Sequence, residues 1–254
     1  AKANGVEFIV CDHHTPAQKL PEAVAILNPK QQDCNYPYKE LSACGIGYKL
    51  IAAISIHYGW DAAINDDLLD LVATSIAADI VPVTGENRIL AYLGLSKANN
   101  NPCLAIKILK ELAQVERNMS ISDLVFMIGP RINAAGRMDD AKKAVALFIA
   151  AEEEQARALA ALLQSDNQER KELDRDTTKE AIALLHEMHQ PQEQYASVLF
   201  QPHWHKGIVG IVASRVIDYY YKPTIVLTES EGKVTGSARS VKGFNIHDAI
   251  LQCE

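Results

Sequence analysis

Residues 6–16 read VEFIVCDHHTP. The run from Val6 to Val10 has the length and the β-branched content of a short buried strand. It ends on Cys11-Asp12-His13-His14, and Thr15-Pro16 stops it. A polar cluster at the carboxyl end of an apolar strand is where open α/β sheets place their sites. Val24 to Leu27 reads as a second strand, halted by Asn28-Pro29. Ser42 to Tyr58 then repeats apolar residues at helical spacing (Ile46, Leu50, Ile54) up to Gly59. The fold class is therefore α/β with a parallel sheet.

Further helices are expected over Asp66 to Ala78, Asn87 to Ala98, Pro102 to Val115, Ser122 to Met127 and Asp139 to Ala150, with an irregular segment at Gly129 to Arg137. Glu152 to Met188 holds neither Pro nor Gly and reads as one long helix, about 55 Å if unbroken. Its alternating charges suit a solvated face, and Pro191 ends it. Beyond it, strands at Ala196 to Phe200, Thr224 to Leu227 and Lys233 to Ser237 alternate with helices at Ile208 to Tyr221 and Asn245 to Leu251. The expected domains are 1–150, a linker helix 151–190, and a smaller, incomplete α/β domain 191–254. Two strands are few for a parallel sheet, which is normally covered on both faces. Further strands are expected to precede this chain, which opens without Met, or to come from another polypeptide. Apolar edges left open in this way would favour a homodimer.

The chain has 254 residues and a net charge of −7, against a surface coated in positive charge, though a local basic groove remains compatible with it. Five scattered cysteines form no C-x-x-C pair, which argues against a zinc knuckle or a disulfide framework and suits reduced thiols in the cytoplasm. Neither a run of about 18 apolar residues nor a signal peptide is present.

Five constellations carry chemistry. Asp12-His13-His14 offers imidazole nitrogens to a borderline metal such as Mn²⁺. Adjacent side chains of an extended segment point opposite ways, so one histidine can ligate while the other faces substrate and Asp12 orients a ring. A polar loop is the plain alternative. Asp79 emerges from an apolar helix, as a ligand or as a cap or paired core charge. Gly129 to Arg137 (GPRINAAGR) brings Arg131, Asn133 and Arg137, planar donors suited to phosphate or to pairing with Asp139 and Asp140. His203 to Gly210 enters a helix whose free N–H groups suit an anion. Trp204 there is either a stacking platform for a base or a core residue. Gly236 to Ser240 (GSARS) is either a phosphate cradle or a tight turn with an exposed arginine.

The order and wording of these segments resemble the RecJ branch of the DHH phosphoesterase superfamily. The matching stretches are DHHTP, the Ala-Asp-Ile-Val-Pro segment with Asn87-Arg88, GPRINAAGRM, HWHKGIVGIVASR and GSARS. The resemblance implies a DHH domain with two divalent cations, Mn²⁺ or Mg²⁺, a long helix and a DHHA1 domain. It implies single-stranded DNA in the cleft between the domains, shortened from its 5′ end in repair and recombination. On this sequence His13 and Asp79 resemble ligands of one ion, Asp12 a supporting carboxylate, and His14 the residue facing the scissile phosphate. Arg137, with Arg131 and Asn133, resembles a phosphate contact. Ser237 and Arg239 resemble the anchor of the 5′ phosphate, and Trp204 and His205 line the same cleft. The family's remaining metal-binding aspartates lie upstream of its DHH motif, and the residues before Asp12 here contain none. The 254-residue chain alone is thus expected to bind metal weakly and to be nearly inactive. Candidate protein partners are a single-strand-binding protein or a helicase. Two other readings are a DHH phosphodiesterase of short oligoribonucleotides or cyclic dinucleotides, and a non-catalytic DNA-binding scaffold. The first of these tends to carry G-G-G-H where this chain has GSARS.

Overall fold

The computed structural model describes residues 2–61, 63–187 and 194–253. The chain forms two compact units: residues 1–133 with 144–161, and residues 134–143 with 162–254.

In the first unit, β1 (Ile9–Cys11) and β2 (Ala25–Leu27) pair in parallel, with Val10 opposite Ile26. Val6, Phe8, Ile9 and Val24 are all more than half exposed, so the segment expected to be a buried strand is uncovered. Helix α1 (Ala43–Tyr58) starts where the Ser42 hydroxyl accepts from the Gly45 N–H, and ends on Gly59 in the left-handed conformation. The short α2 (Ala63–Asp66) leads into α3 (Leu69–Ala78), which packs against α4 (Gly85–Asn100). Leu41, Ile46, Leu69, Val72, Ile76, Leu90 and Ala91 form the core, with Cys11, Leu27 and Cys44 packed against it. Buried Asp70 accepts from the Cys103 N–H at 2.7 Å, which fixes the start of α5 (Leu104–Leu112).

The segment expected to be irregular is helical. Ser120 and Asp123 form a capping box at α6 (Ile121–Asp123), followed by a π-helical turn at Leu124–Ile128 and α7 (Gly129–Met138). The Gly129 N–H donates five residues back, to the Leu124 carbonyl. That widened turn precedes Pro130, which has no N–H to give, and the helix continues through a sequence that reads as a breaker. Helix α8 (Lys142–Ile149) follows.

The long helix α9 (Glu153–Glu187) is continuous through the residues described, while the expected ending at Met188 and Pro191 lies outside them. Its second half is built into the core of the second unit, where Ala181 and Leu185 meet Leu199, Trp204, Ile208, Val212, Val216 and Val226. There β3 (Ser197–Phe200) runs parallel to β4 (Thr224–Ser230), and β4 antiparallel to β5 (Lys233–Arg239). Helix α10 (Val209–Tyr219) packs on both β4 and β5, and α11 (Ile246–Leu251) starts at an Asn245 cap. Among the described residues no helix is long and apolar enough to cross a membrane.

Candidate metal and phosphate sites

The Asp12-His13-His14 segment leaves β1 as a tight turn rather than an extended chain. The Asp12 N–H still donates to the Leu27 carbonyl at 3.0 Å. The Asp12 carboxylate then accepts from the N–H groups of His13 (2.8 Å) and His14 (3.3 Å) and lies 2.7 Å from His14 Nδ1. Asn28 Nδ2 holds the His14 carbonyl at 2.9 Å. The expected opposite pointing of the two histidines is therefore corrected. Their ring centroids are 4.5 Å apart, because the chain curls over the Asp12 carboxylate instead of continuing the pleat. Asp12 supports the ring of His14, and that hydrogen bond holds its carboxyl below the usual range.

His13 is the more buried of the two histidines. Its side chain is 14% exposed, against 79% for His14, and its Nε2 lies 3.9 Å from Asp79 Oδ2. Asp79 is the C-cap of α3, and the Ser75 hydroxyl one turn earlier donates to Oδ2 at 3.2 Å. Ile80 follows with φ at 53°, a left-handed backbone that a β-branched residue rarely adopts. Downstream, Asn87 Nδ2 donates to the carbonyls of Glu40 (2.6 Å) and Pro82 (3.0 Å) and ties the Ile80–Pro82 stretch down. Cys44 lies close enough that burial, and then the charge of Asp79, pushes its thiol up to about 11. A divalent ion bound about 2 Å from each donor fits between His13 and Asp79. Imidazole and carboxylate suit Mn²⁺ or Mg²⁺ chemistry, but among the described residues no group of three His, Cys, Asp or Glu side chains completes a cage. Ser75 was not picked out from sequence, although its spacing of one helical turn from Asp79 was readable, and Asn87 stood only in a matching stretch, with no role given to it.

The second unit holds Arg137, Trp204, His205, Ser237 and Arg239. Arg239 donates from Nη1 to Ser237 Oγ at 3.0 Å and from Nε to Ser214 Oγ at 3.1 Å. Gly210 on α10 makes room for them: a Cβ there would sit 3.0 Å from Arg239 Nη2 and 3.2 Å from Ser237 Oγ. GSARS lies on β5 up to Arg239 rather than on a turn, since residues 236–239 stay paired with β4. Arg137, exposed at the end of α7, donates to the Gly207 carbonyl at 3.2 Å. His205 is half-buried, and its Nδ1 accepts from the Gly207 N–H at 3.1 Å. A side chain at Gly207 would put Cβ 2.0 Å from the Arg137 carbonyl oxygen, so this glycine permits the α7–α10 approach.

Two expectations are corrected here. Trp204 is 3% exposed in the core, and its indole N–H donates to Glu180 at 2.9 Å, so it offers no face to a base. Arg131, in the first unit, is buried and donates to the Met127 carbonyl one turn back on its own helix, which leaves it little reach toward a phosphate. Asn133 on α7 is exposed.

Residues 1–76 match the DHH family N-terminal domain, and residues 192–253 match the DHHA1 domain. The chain is 41% identical to the single-stranded-DNA-specific exonuclease RecJ of Haemophilus influenzae over 98% of its own length and 45% of that protein. It is 38% identical to the protein of that name from Bacillus subtilis, over 100% of this chain and 32% of that one. Its fold matches the crystal structure of RecJ in complex with Mn²⁺ from Thermus thermophilus with a TM-score of 0.84 and 30% identity, covering 99% of this chain and 36% of that one. The chain thus spans less than half the length of the curated relatives it matches. Solved neighbours carry Mn²⁺ and Mg²⁺.

Proposed function

This chain belongs to the DHH family, and we propose that it serves a metal-dependent exonuclease that shortens single-stranded DNA from the 5′ end. The observation that carries the proposal is the convergence of His13 and Asp79, 3.9 Å apart, from the end of β1 and the end of α3. Divalent cations bound there would polarise the phosphodiester and activate a water. The residues of this chain do the rest. His13 and Asp79 would hold one cation, and the Ser75 hydroxyl keeps Asp79 aimed. Asp12, 2.7 Å from His14 Nδ1, holds the exposed ring of His14 in place to face a phosphate oxygen. In the second unit, Ser237 and Arg239 bind the terminal 5′ phosphate, with Arg239 braced by Ser214. Arg137, and Asn133 with it, contact the DNA backbone, and His205 supports the Gly207 turn beside Arg137.

Ligand preference tests this reading. The 254-residue chain is titrated with 5′-phosphorylated single-stranded DNA, duplex DNA, a short oligoribonucleotide and a cyclic dinucleotide. Single-stranded DNA is expected to bind best, and Arg239→Ala to cost most when the 5′ end carries phosphate. Preference for the oligoribonucleotide or the cyclic dinucleotide would overturn the DNA assignment in favour of the related phosphodiesterases.

A further inference from the structure

Two guanidinium groups meet one buried carboxylate in the second unit, and a third, that of Arg137, adds to the positive charge acting on one of them. Asp174 on α9 is 2% exposed, and Arg215 on α10 grips it through Nε and Nη2 at 2.8 Å each. Thr178 Oγ1 donates to the same carboxylate at 3.4 Å. Arg170, one turn earlier on α9, reaches Asp174 from Nη1 only at 4.0 Å. Its Nε and Nη2 donate instead to the amide oxygen of Asn167, at 3.4 and 3.3 Å. The Arg170 side chain is 14% exposed. Burial presses its guanidinium below the ordinary range; the charge of Asp174 opposes that, and the like charges of Arg137 and Arg215 add to it.

Pinning α9 to α10 needs one arginine for one carboxylate, and Asp174 with Arg215 supplies that pair. Arg170 and Arg137 are surplus to it. The partly buried charge of Arg170 is costly unless an anion offsets it, and the exposed Arg137 adds a second positive charge for that anion. A planar guanidinium with unused N–H groups is suited to phosphate oxygens. The residue before Arg215 is Ser214, which holds Arg239, so the cluster adjoins the terminal-phosphate anchor on the same helix.

We propose that Arg170, together with Arg137, forms a second phosphate subsite that takes an internucleotide phosphate of single-stranded DNA beside the 5′ anchor. Asp174 is the positioning residue that fixes Arg215 and steadies Arg170. The inference rests on the DNA reading above and adds to it a second contact along the strand.

The test uses the 254-residue chain with oligo(dT) of one length, 5′-phosphorylated or 5′-hydroxyl, in EDTA over a series of salt concentrations. Arg170→Gln is expected to weaken both ligands about tenfold and to flatten the slope of log affinity against log salt by about 0.7. Arg239→Ala is expected to weaken the phosphorylated ligand far more than the other. Arg170→Lys keeps the charge and loses the fork, so it is expected to keep the slope and lose affinity about threefold; it decides the matter should Arg170→Gln not fold. Wild-type affinity and slope in these variants overturn the subsite and leave the DNA reading standing. A lowered melting temperature with an unchanged slope also overturns it, since the arginine then only braces the helix. Failure of the wild type to bind either oligonucleotide overturns both.

Discussion

Ile80 sits immediately after Asp79 with φ at 53° and a side chain that is 77% exposed. The left-handed position after a helix C-cap is usually glycine or asparagine. An isoleucine there stores strain of about 1–3 kcal/mol. Replacement by glycine should therefore raise the unfolding free energy by about 1 kcal/mol, after allowing for the added freedom of the unfolded chain. Chemical denaturation of Ile80→Gly measures this, and a loss of stability would refute the strain. At this scale the sequence was most legible where chemistry is local. The Asp-His-His triplet and the lone carboxylate after an apolar helix stood out as candidate donors, and the fold brings His13 and Asp79 within 3.9 Å. Trp204 was readable as either a core residue or a stacking platform, and Arg131 was not readable as buried, because burial of an amphipathic side chain depends on partners far off in the chain, such as Glu180 for Trp204.

The cap at α6 governs a longer element than its own three residues, since α6, the π turn and α7 run on without a break. Asp123 accepts from both nitrogens of Arg117 (2.7 and 2.9 Å) and from the N–H and hydroxyl of Ser120 (2.7 Å each). Arg117, and then Ser120, hold its carboxyl well below the usual range. A depressed pKa means that the stabilisation is complete above the ordinary carboxylate range and is lost as pH falls through the folded value. Thermal melts from pH 7 down to about 2 should show a stability slope that Asp123→Asn reduces; identical slopes would contradict the cap's role. Asp123→Asn should also cost about 1 kcal/mol at neutral pH. A second element-scale prediction concerns the α7–α10 approach: Gly207→Ala, with its Cβ 2.0 Å from the Arg137 carbonyl, should cost about 2 kcal/mol and displace Arg137. Most elements were legible from apolar spacing and caps, as with Ser42 at α1 and Asn245 at α11. The helical course of GPRINAAGR was not, because glycine and proline signal a break unless the preceding turn widens to accommodate them.

Across the whole chain a net charge of −7 coexists with local arginine-rich surfaces at residues 137, 170, 215 and 239. On the proposed reading, local placement of these arginines outweighs the summed charge in affinity for phosphate. The class of fold was readable from the alternation of strand and helix patterns. The building of the second half of α9 into a core was hidden by its charged composition. With two candidate ligands brought together among the described residues, hydrolysis of 5′-labelled single-stranded DNA in Mn²⁺ by the 254-residue chain should stay near background; robust turnover would contradict this expectation. The sharing of one cation by His13 and Asp79 is tested most directly by paramagnetic broadening of backbone amide resonances on titration with Mn²⁺. Signals of His13, Asp79 and neighbouring Cys44 should broaden first, and His13→Ala or Asp79→Asn should abolish the effect. Broadening centred elsewhere, or unchanged in both variants, would contradict the metal site.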